Sequence, residues 1–170
     1  MAVLPIRKYG DDVLRRPTEP VTEIDGRVQK LIDDMVDTMY AAPGVGLAAN
    51  QVGVAMRLAV IDLSVGKRTG ELHVLINPEV VETIGDVVQE EGCLSIPDFV
   101  ETVKRPEGVT VRYTDRNGEE RKIFGQGLMA RALSHEIDHL NGQLFVDRLR
   151  GFKRDRIIKK IQKLAKAGMW

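Results

Sequence analysis

A single stretch of the sequence, residues 128–140, reads LMARALSHEIDHL. Its apolar residues recur at intervals of three or four, which predicts an amphipathic helix that ends before Gly142. His135 and His139 are four residues apart, so both imidazole rings project from one face of that helix. Two imidazoles at this spacing can hold one divalent metal ion, with the intervening Glu136 as general base. A solvated helix face is the alternative explanation of the pattern.

Residues on both sides of this stretch predict two more helices and a block of short strands. Residues 25–40, with Asp25 as N-cap, and residues 153–166 each place apolar side chains on one helical face. Strand-like runs lie at 57–62, 72–76 and 109–113, and Asn117-Gly118 predicts a tight turn into a returning strand. Because the helices bracket the strands and do not alternate with them, we predict an α+β fold.

In this fold, short and mostly antiparallel strands surround a central helix that carries the two histidines. An N-terminal and a C-terminal helix complete it. A chain of 170 residues has the length of one domain. We expect residues 1–170 to form that domain and the basic helical segment 148–170 to be part of it.

The composition excludes several classes of protein. Hydrophobic residues make up 43% of the chain and charged residues 29%, which excludes collagen, a coiled coil and a wholly disordered chain. The apolar runs are too short for a membrane helix, and the first residues lack the pattern of a signal or transit peptide. The single cysteine excludes an internal disulfide. We therefore expect a cytoplasmic protein with no membrane partner.

The charge is balanced overall but unevenly distributed. The formal net charge is zero, which argues against DNA as a partner. Residues 148–170 nevertheless carry a net charge of +8, so residues 1–147 carry −8. A basic helix face of this kind is usually solvated.

The only cysteine, Cys93, stands in the segment EEGCLSIP at residues 90–97. A lone cysteine usually behaves as a small buried hydrophobic residue. Here the preceding glycine and the following Ser-Ile-Pro indicate a loop that enters a strand. A catalytic metal site usually has three protein ligands and one open position, and Cys93, His135 and His139 together supply three.

A third segment, GVGLAANQ at residues 44–51, is rich in small residues. Its two glycines resemble half of a dinucleotide-binding fingerprint, but no third glycine follows where a helix would begin. Small residues let the backbone pass close to a substrate, and the amide of Gln51 can donate to an oxyanion. A turn that ends the preceding helix is the alternative.

Taken together, the three segments resemble the motifs of the peptide deformylase family. The family motifs Gly-x-Gly-x-Ala-Ala-x-Gln, Glu-Gly-Cys-x-Ser and His-Glu-x-x-His stand here in order, at 44–51, 91–95 and 135–139. Residues 103–105 and 127–132 are also similar to the family. The resemblance extends from Pro5 to the final helix, and the three motifs together are far more specific than His-Glu-x-x-His alone.

The resemblance implies a metal-dependent hydrolase of linear amides, which removes the formyl group from N-formyl-methionyl nascent polypeptides and releases formate. The implied ligands of one divalent ion per chain are Cys93, His135 and His139. Fe²⁺ is the ion expected in cells and Zn²⁺, Ni²⁺ or Co²⁺ in preparations, since this donor set does not choose among them. In the mechanism that the resemblance implies, a hydroxide made available by the bound ion would attack the formyl carbon, and Glu136 would move the proton to the leaving amine. Gln51 and the backbone N–H of Leu94 stabilise the oxyanion.

The resemblance also implies the residues around the substrate. The expected substrate-binding residues are Gly44, Val45, Gly46, Glu91, Leu128 and Ala132. Glu91 is expected to pair with Arg105 and support the site, and a surface salt bridge is the alternative for this pair. Residues 98–101, Asp-Phe-Val-Glu, lack the cation that some bacterial members carry there. Peptide residues beyond the methionine are then expected to pair with backbone strands.

Two other functions share these residues. A zinc endopeptidase also uses His-Glu-x-x-His, but a cysteine ligand and the Gln51 donor argue against it. A ribosome- or RNA-associated binding protein with a structural metal would need a fourth protein ligand, and His73 is a poor candidate in a strand-like run. The resemblance adds a partner for the basic helix, because some deformylases dock on ribosomal RNA through a C-terminal helix.

Overall fold

The computed structural model describes residues 2–170. Within them lie the helices α1 (Gly26–Ala41), α2 (Leu128–Leu140) and α3 (Phe152–Lys166). The strands are β1 (Gly46–Ala48), β2 (Leu58–Ile61), β3 (His73–Ile84), β4 (Val87–Cys93), β5 (Ile96–Arg105), β6 (Gly108–Thr114) and β7 (Glu120–Gln126). Short 3₁₀ helices occupy Asp12–Arg15, Ala49–Val52 and Phe145–Arg148.

Helix α2 lies at the centre of this arrangement. It packs against an antiparallel sheet whose strand order is β1-β2-β3-β6-β7, and it also contacts β5. Ala132, Leu133 and Ile137 form its apolar face against buried strand residues such as Leu75 and Val109. Helix α1 packs against the β1, β2 and β3 part of the sheet. The predicted α+β fold with antiparallel strands around a central helix is therefore confirmed.

Helix α1 begins where the sequence predicts. The Asp25 side chain accepts a hydrogen bond from the backbone N–H of Val28, which satisfies one of the free donors at the helix start. Ile32, Met35 and Met39 lie on one face of the helix and are fully buried against the β1–β2 region. This packing fixes the position of the segment that follows α1, which includes Gly44, Val45 and Gly46.

Strand β3 is longer than the predicted run 72–76. It continues through Pro78 to Ile84, although proline cannot donate a ladder hydrogen bond. The structure accommodates Pro78 with a register shift between Ile76 and Glu79, next to Asn77 with a φ of 52°. A bulge is one of the few places where a sheet tolerates proline. Because a proline usually indicates a turn, the predicted strand ended before Pro78.

The hairpin of β4 and β5 was not predicted. Its two strands pair antiparallel over Val87–Cys93 and Ile96–Arg105, with a register shift at Cys93. Most β4 residues are polar or exposed, so the strand lacks the alternation that sequence analysis detects. The hairpin is held by Ile96 and Val103, which are buried with Phe145, Ile157 and Ile161 in a second core.

Helix α3 closes that second core. Ile157 and Ile161 are buried, whereas the lysine side chains on the rest of the helix are exposed. No helix among residues 2–170 combines the length and hydropathy that a membrane crossing requires.

Gly142 is predicted to be essential for the end of α2. It has a φ of +78°, and a Cβ there would lie 2.5 Å from the backbone oxygen of Arg15. Gly118 has a φ of +86°, but nothing lies within 4 Å of its Cβ position. We expect Gly118→Ala to lower the free energy of unfolding by about 1 kcal/mol from backbone strain alone. Gly142→Ala adds a clash with backbone and should lower it by about 2–5 kcal/mol. Urea denaturation of both variants checks this, and equal losses would contradict it.

Candidate active site

Three ligand atoms from two elements converge at one point. Helix α2 supplies His135 and His139, and the end of β4 supplies Cys93. The two Nε2 atoms are 3.1 Å apart, and the Cys93 Sγ is 3.2 Å from the His139 Nε2. All three ligand atoms lie within 4.8 Å of one another.

These separations fit a small divalent ion. Metal bonds of about 2.3 Å to sulfur and 2.0–2.1 Å to nitrogen place tetrahedral ligand atoms about 3.3–3.6 Å apart. Within residues 2–170, three side chains could bind one ion here. The fourth position of a tetrahedron is then left for a non-protein ligand. The donor set of one thiolate and two imidazoles suits zinc or iron.

Glu91 orients the first histidine. Its Oε2 lies 2.6 Å from the Nδ1 of His135, so Nδ1 donates and Nε2 faces the other two ligand atoms. Both oxygens of Glu91 also accept from Arg105, with Nη2 to Oε2 at 2.6 Å and Nε to Oε1 at 3.0 Å. Arg131 donates to Oε1 at 2.9 Å. The Glu91–Arg105 pair is thus buried, with side-chain exposures of 5% and 1%, and is not a surface salt bridge.

Arg105 extends this network to a second carboxylate on α2. Its Nη1 donates to the Oδ2 of Asp138 at 2.5 Å, and Arg148 binds both oxygens of Asp138 from the other side. Asp138 stands between the two histidines in sequence. The ion pairs therefore connect the β4–β5 hairpin, which carries Cys93, to the helix that carries the histidines.

The two histidines differ in their affinity for protons. Burial, together with the positive charges of His135 and Arg105, holds the pKa of His139 well below its usual value. Burial alone would lower the pKa of His135, but the negative charges of Glu136 and Cys93 and the bond to Glu91 outweigh it and raise that pKa. A divalent ion bound at the Nε2 of His135 would displace a proton there.

Glu136 is buried beside the ligands. Its Oε1 has no hydrogen-bond partner within residues 2–170, and burial raises its pKa to about 7. Its other oxygen rests on β1, where a Cβ at Gly46 would lie 2.5 Å from Oε2. Glycine at position 46 therefore makes room for this carboxylate, and its expected contact with substrate stays a prediction.

Gln51 and Ser95 contact the thiol of Cys93. The Oε1 of Gln51 accepts from the backbone N–H of Ala48 at 2.9 Å, which turns Nε2 toward the site. Nε2 lies 3.0 Å from the Ser95 Oγ and 3.8 Å from the Cys93 Sγ. The backbone N–H of Ser95 also donates to that sulfur, at 3.4 Å. The segment that contains Gln51 is tied to α2, since Asn50 donates to the backbone oxygen of His139.

A groove of about 500 Å³ opens onto these groups. The expected substrate residues that line it are Gly44, Val45, Gly46, Glu91, Leu128 and Ala132, together with Gln51, Cys93, Leu94, His135 and Glu136. Leu128 is half exposed and Ala132 is buried, so they offer an apolar wall. His139 and Arg105 lie behind this surface, with exposures of 0% and 1%.

One expected role changes with this geometry. Glu91 lines the groove, but its oxygens are bound by Arg105, Arg131 and His135, so its carboxylate positions a ligand and is not free for a substrate. Sequence analysis gave no role to Arg131, Ser95, Asp138 or Arg148. Ser95, Arg131 and Asp138 lie within stretches that the family resemblance covers, and that was the signal available for them.

Known proteins resemble the whole chain. The polypeptide deformylase family model matches residues 3–155. The chain belongs to the polypeptide deformylase family. A peptide deformylase of Thermodesulfovibrio yellowstonii is 51% identical over 162 residues, 95% of this chain and 98% of that one. One of Acidobacterium capsulatum is 49% identical over 170 residues, 100% of each chain. The crystal structure of a Legionella pneumophila peptide deformylase has a TM-score of 0.91 at 47% identity, covering 98% of both chains.

Membership of the polypeptide deformylase family confirms the resemblance drawn from the three motifs. The chain is therefore an enzyme of a metallohydrolase family whose name denotes the removal of formyl groups from peptides. The Cys93, His135 and His139 cluster is the group of side chains in the described structure with the geometry of a metal site.

Arg105→Met is predicted to destabilise the protein, because it leaves the buried carboxylates of Glu91 and Asp138 without their shared cation. The loss should be about 3–5 kcal/mol in the free energy of unfolding. Arg112→Met is the matched control, since Arg112 pairs with Glu79 on the surface, and it should cost less than about 1 kcal/mol. Urea denaturation measures both. Similar small losses would show that the buried network does not stabilise the fold.

Proposed function

We propose that this enzyme hydrolyses the formyl amide of N-formyl-methionyl polypeptides and releases formate. The observation that carries this proposal is the convergence of Cys93, His135 and His139 beside a buried carboxylate at the floor of a groove. A hydrolase needs a water activated at neutral pH, a base to take its proton and donors for the oxyanion. The chain supplies three candidate ligands for an ion that would activate the water, a candidate base and candidate oxyanion donors.

The proposed metal ligands are Cys93, His135 and His139, and Fe²⁺ is the ion we expect in cells, with Zn²⁺, Ni²⁺ or Co²⁺ able to replace it. A bound divalent ion lowers the pKa of a coordinated water toward ~7 and polarises the formyl carbonyl. Glu91 fixes the His135 ring so that Nε2 faces the ion. Ser95 and Gln51 direct N–H groups at the Cys93 sulfur and so help to hold it in place.

Glu136 is proposed as general base and acid. Glu136 lines the groove, and its buried Oε1 has no hydrogen-bond partner among the described residues, so this oxygen is not committed to another protein group. A base is most effective when its pKa lies near the working pH, and burial raises the pKa of Glu136 to about 7. It accepts the water proton and delivers it to the leaving amine of methionine.

Gln51 and Leu94 are proposed to stabilise the oxyanion. Both line the groove next to Cys93, and the bond from Ala48 holds the Gln51 amide with its nitrogen toward the site. Leu94 stands in the turn between β4 and β5, where its backbone N–H adjoins Cys93. One such donor is typically worth about 3–4 kcal/mol of transition-state stabilisation.

The groove is proposed to hold the methionine and the peptide that follows it. Val45, Leu128 and Ala132 form the apolar wall for the methionine side chain. The backbone at Gly44 and Val45, next to the edge strand β1, offers strand pairing to the peptide. Asp98, Phe99 and Val100 line the same groove and present no cation to the substrate.

The first test is formate release from formyl-Met-Ala-Ser by protein purified without oxygen, in parallel with protein loaded with Ni²⁺. We expect rapid release, and Glu136→Gln should keep its metal but lose about 10²–10⁴ in rate. Glu82→Gln on the exposed part of β3 is the control and should behave as the wild type. Metal-loaded wild type without release would reject the proposal, and cleavage of an unformylated protein would favour an endopeptidase instead.

A second prediction follows from the contact between Gly46 and Glu136. Gly46→Ala places a Cβ against the Glu136 carboxylate and should displace it, so that kcat falls at least about tenfold while the metal content is unchanged. Gly26→Ala adds the same methyl group where nothing lies within 4 Å, and should have no effect. Kinetics and elemental analysis of both variants check this. Full activity of Gly46→Ala would contradict the placement of Glu136.

We also propose that α3 docks on ribosomal RNA. Lys159, Lys160, Lys163 and Lys166 are exposed, and within residues 2–170 they form no ion pair. The buried Ile157 and Ile161 fix the helix to the second core, which supports 148–170 as part of the same domain. Replacing the four lysines by glutamine should weaken cosedimentation with ribosomes and its salt dependence. The same change at the exposed Lys67 and Lys122 is the control, and equal binding by all three proteins would remove this proposal.

A further inference from the structure

The chain turns back toward the groove after α3. Gly168, with a φ of 70°, donates to the backbone oxygen of Ala165 at 3.1 Å, and Met169 donates to that of Leu164 at 2.8 Å. These two bonds are the Schellman motif, in which a glycine in the left-handed region reverses the chain at a helix end. The reversal carries Trp170 away from the helix axis and onto the body of the protein.

Trp170 contacts three residues there. Its Nε1 donates to the backbone oxygen of Tyr9 at 2.8 Å. Its ring lies edge-on to that of Phe99, with centroids 6.1 Å apart and an interplanar angle of 61°. The Lys8 ammonium lies 5.9 Å from the ring centroid. Edge-to-face contacts of this kind are favourable beyond the area they bury.

The contacts with Phe99 and Tyr9 lead to the wall of the groove. Phe99 is itself one of the lining residues. The backbone N–H of Tyr9 donates to the oxygen of Ser95 at 2.8 Å, and Ser95 bonds in turn to Cys93 and Gln51. Trp170 therefore holds the segment 95–99 at two points, once through an aromatic ring and once through the Tyr9 backbone.

We propose that Trp170 is a positioning residue for the substrate groove. It fixes Phe99 and the backbone at Ser95, so that the groove is preorganised for the peptide. This proposal rests on the proposed function. Trp170 itself lies outside the family match, which ends at residue 155. Cys93 and Gln51 are also held by the β4–β5 pairing and by Ala48, so loss of Trp170 loosens the wall and not the reacting groups.

The test is the steady-state kinetics of Trp170→Ala with formyl-Met-Ala-Ser. We expect KM to rise about three- to tenfold, the factor that an aromatic pair provides, with kcat within about twofold of the wild type. Trp170→Phe keeps a ring on Phe99 and should restore most of the KM. Met169→Ala, whose side chain is 73% exposed, is the control and should leave KM unchanged. An unchanged KM in Trp170→Ala, or an equal rise in Met169→Ala, overturns the proposal.

Two further measurements test the proposal even if Trp170→Ala folds poorly. One is a double-mutant cycle of Trp170 with Phe99, and the other is the tryptophan fluorescence of the wild-type protein. Because Trp170 acts partly through Phe99, its loss should raise KM less in a Phe99→Ala background than in the wild type. Trp170 is the only tryptophan of the chain, so its fluorescence should change when the product peptide Met-Ala-Ser fills the groove. Additive effects, or no fluorescence change at saturation, overturn the proposal. Inactive metal-loaded wild type would instead reject the proposed function.

Discussion

The buried guanidinium of Arg105 joins the two halves of the site. It reaches Glu91 on its own hairpin and Asp138 on α2, and every one of these three side chains is almost removed from solvent. Charges buried in this way are tolerated only when they are paired and hydrogen-bonded, so the relative position of hairpin and helix is tightly constrained. The same constraint places the Cys93 sulfur against the His139 ring. The metal-binding geometry is thus a consequence of how two elements are held together.

Glu91 connects this structural network to the chemistry. One of its oxygens receives both Arg105 and the Nδ1 of His135, which sets the tautomer that leaves Nε2 free. Glu136, which follows His135 on α2, lines the groove, and its buried Oε1 has no hydrogen-bond partner within residues 2–170. Two glutamates near the same histidine therefore have different surroundings. Burial would raise the pKa of Glu91, but the hydrogen bonds from His135 and Arg105 outweigh it and lower that pKa. Burial raises the pKa of Glu136 to about 7.

Local sequence patterns predicted the helices well, because their signals lie within a few residues. The apolar period and the histidine spacing placed α2 at 128–140, and Asp25 marked the start of α1. Cys93 was proposed as the third ligand because a catalytic metal site needs one more donor than two histidines supply. The resemblance to a family supported that choice, since nothing in the spacing of the chain joins Cys93 to the histidines. The hairpin was missed because β4 buries few apolar side chains.

Long-range contacts of single residues were beyond sequence analysis. Asp138 is 33 residues from its partner Arg105, and no local pattern connects them. The missing Cβ of Gly46 accommodates the Glu136 carboxylate of α2, a contact that the sequence did not predict. For Asp138 and Gly46, the sequence could not identify the residue that each one contacts, and the fold does.

The measurement that most directly tests this account is the affinity of Glu91→Gln for Ni²⁺ or Zn²⁺, determined by competition with a chelator. If Glu91 orients His135 as described, the variant should bind the metal about 10–100-fold more weakly than the wild type. Glu79→Gln, which alters a surface carboxylate, should bind as the wild type does. An unchanged affinity in folded Glu91→Gln would contradict the claim that the buried network shapes the metal site.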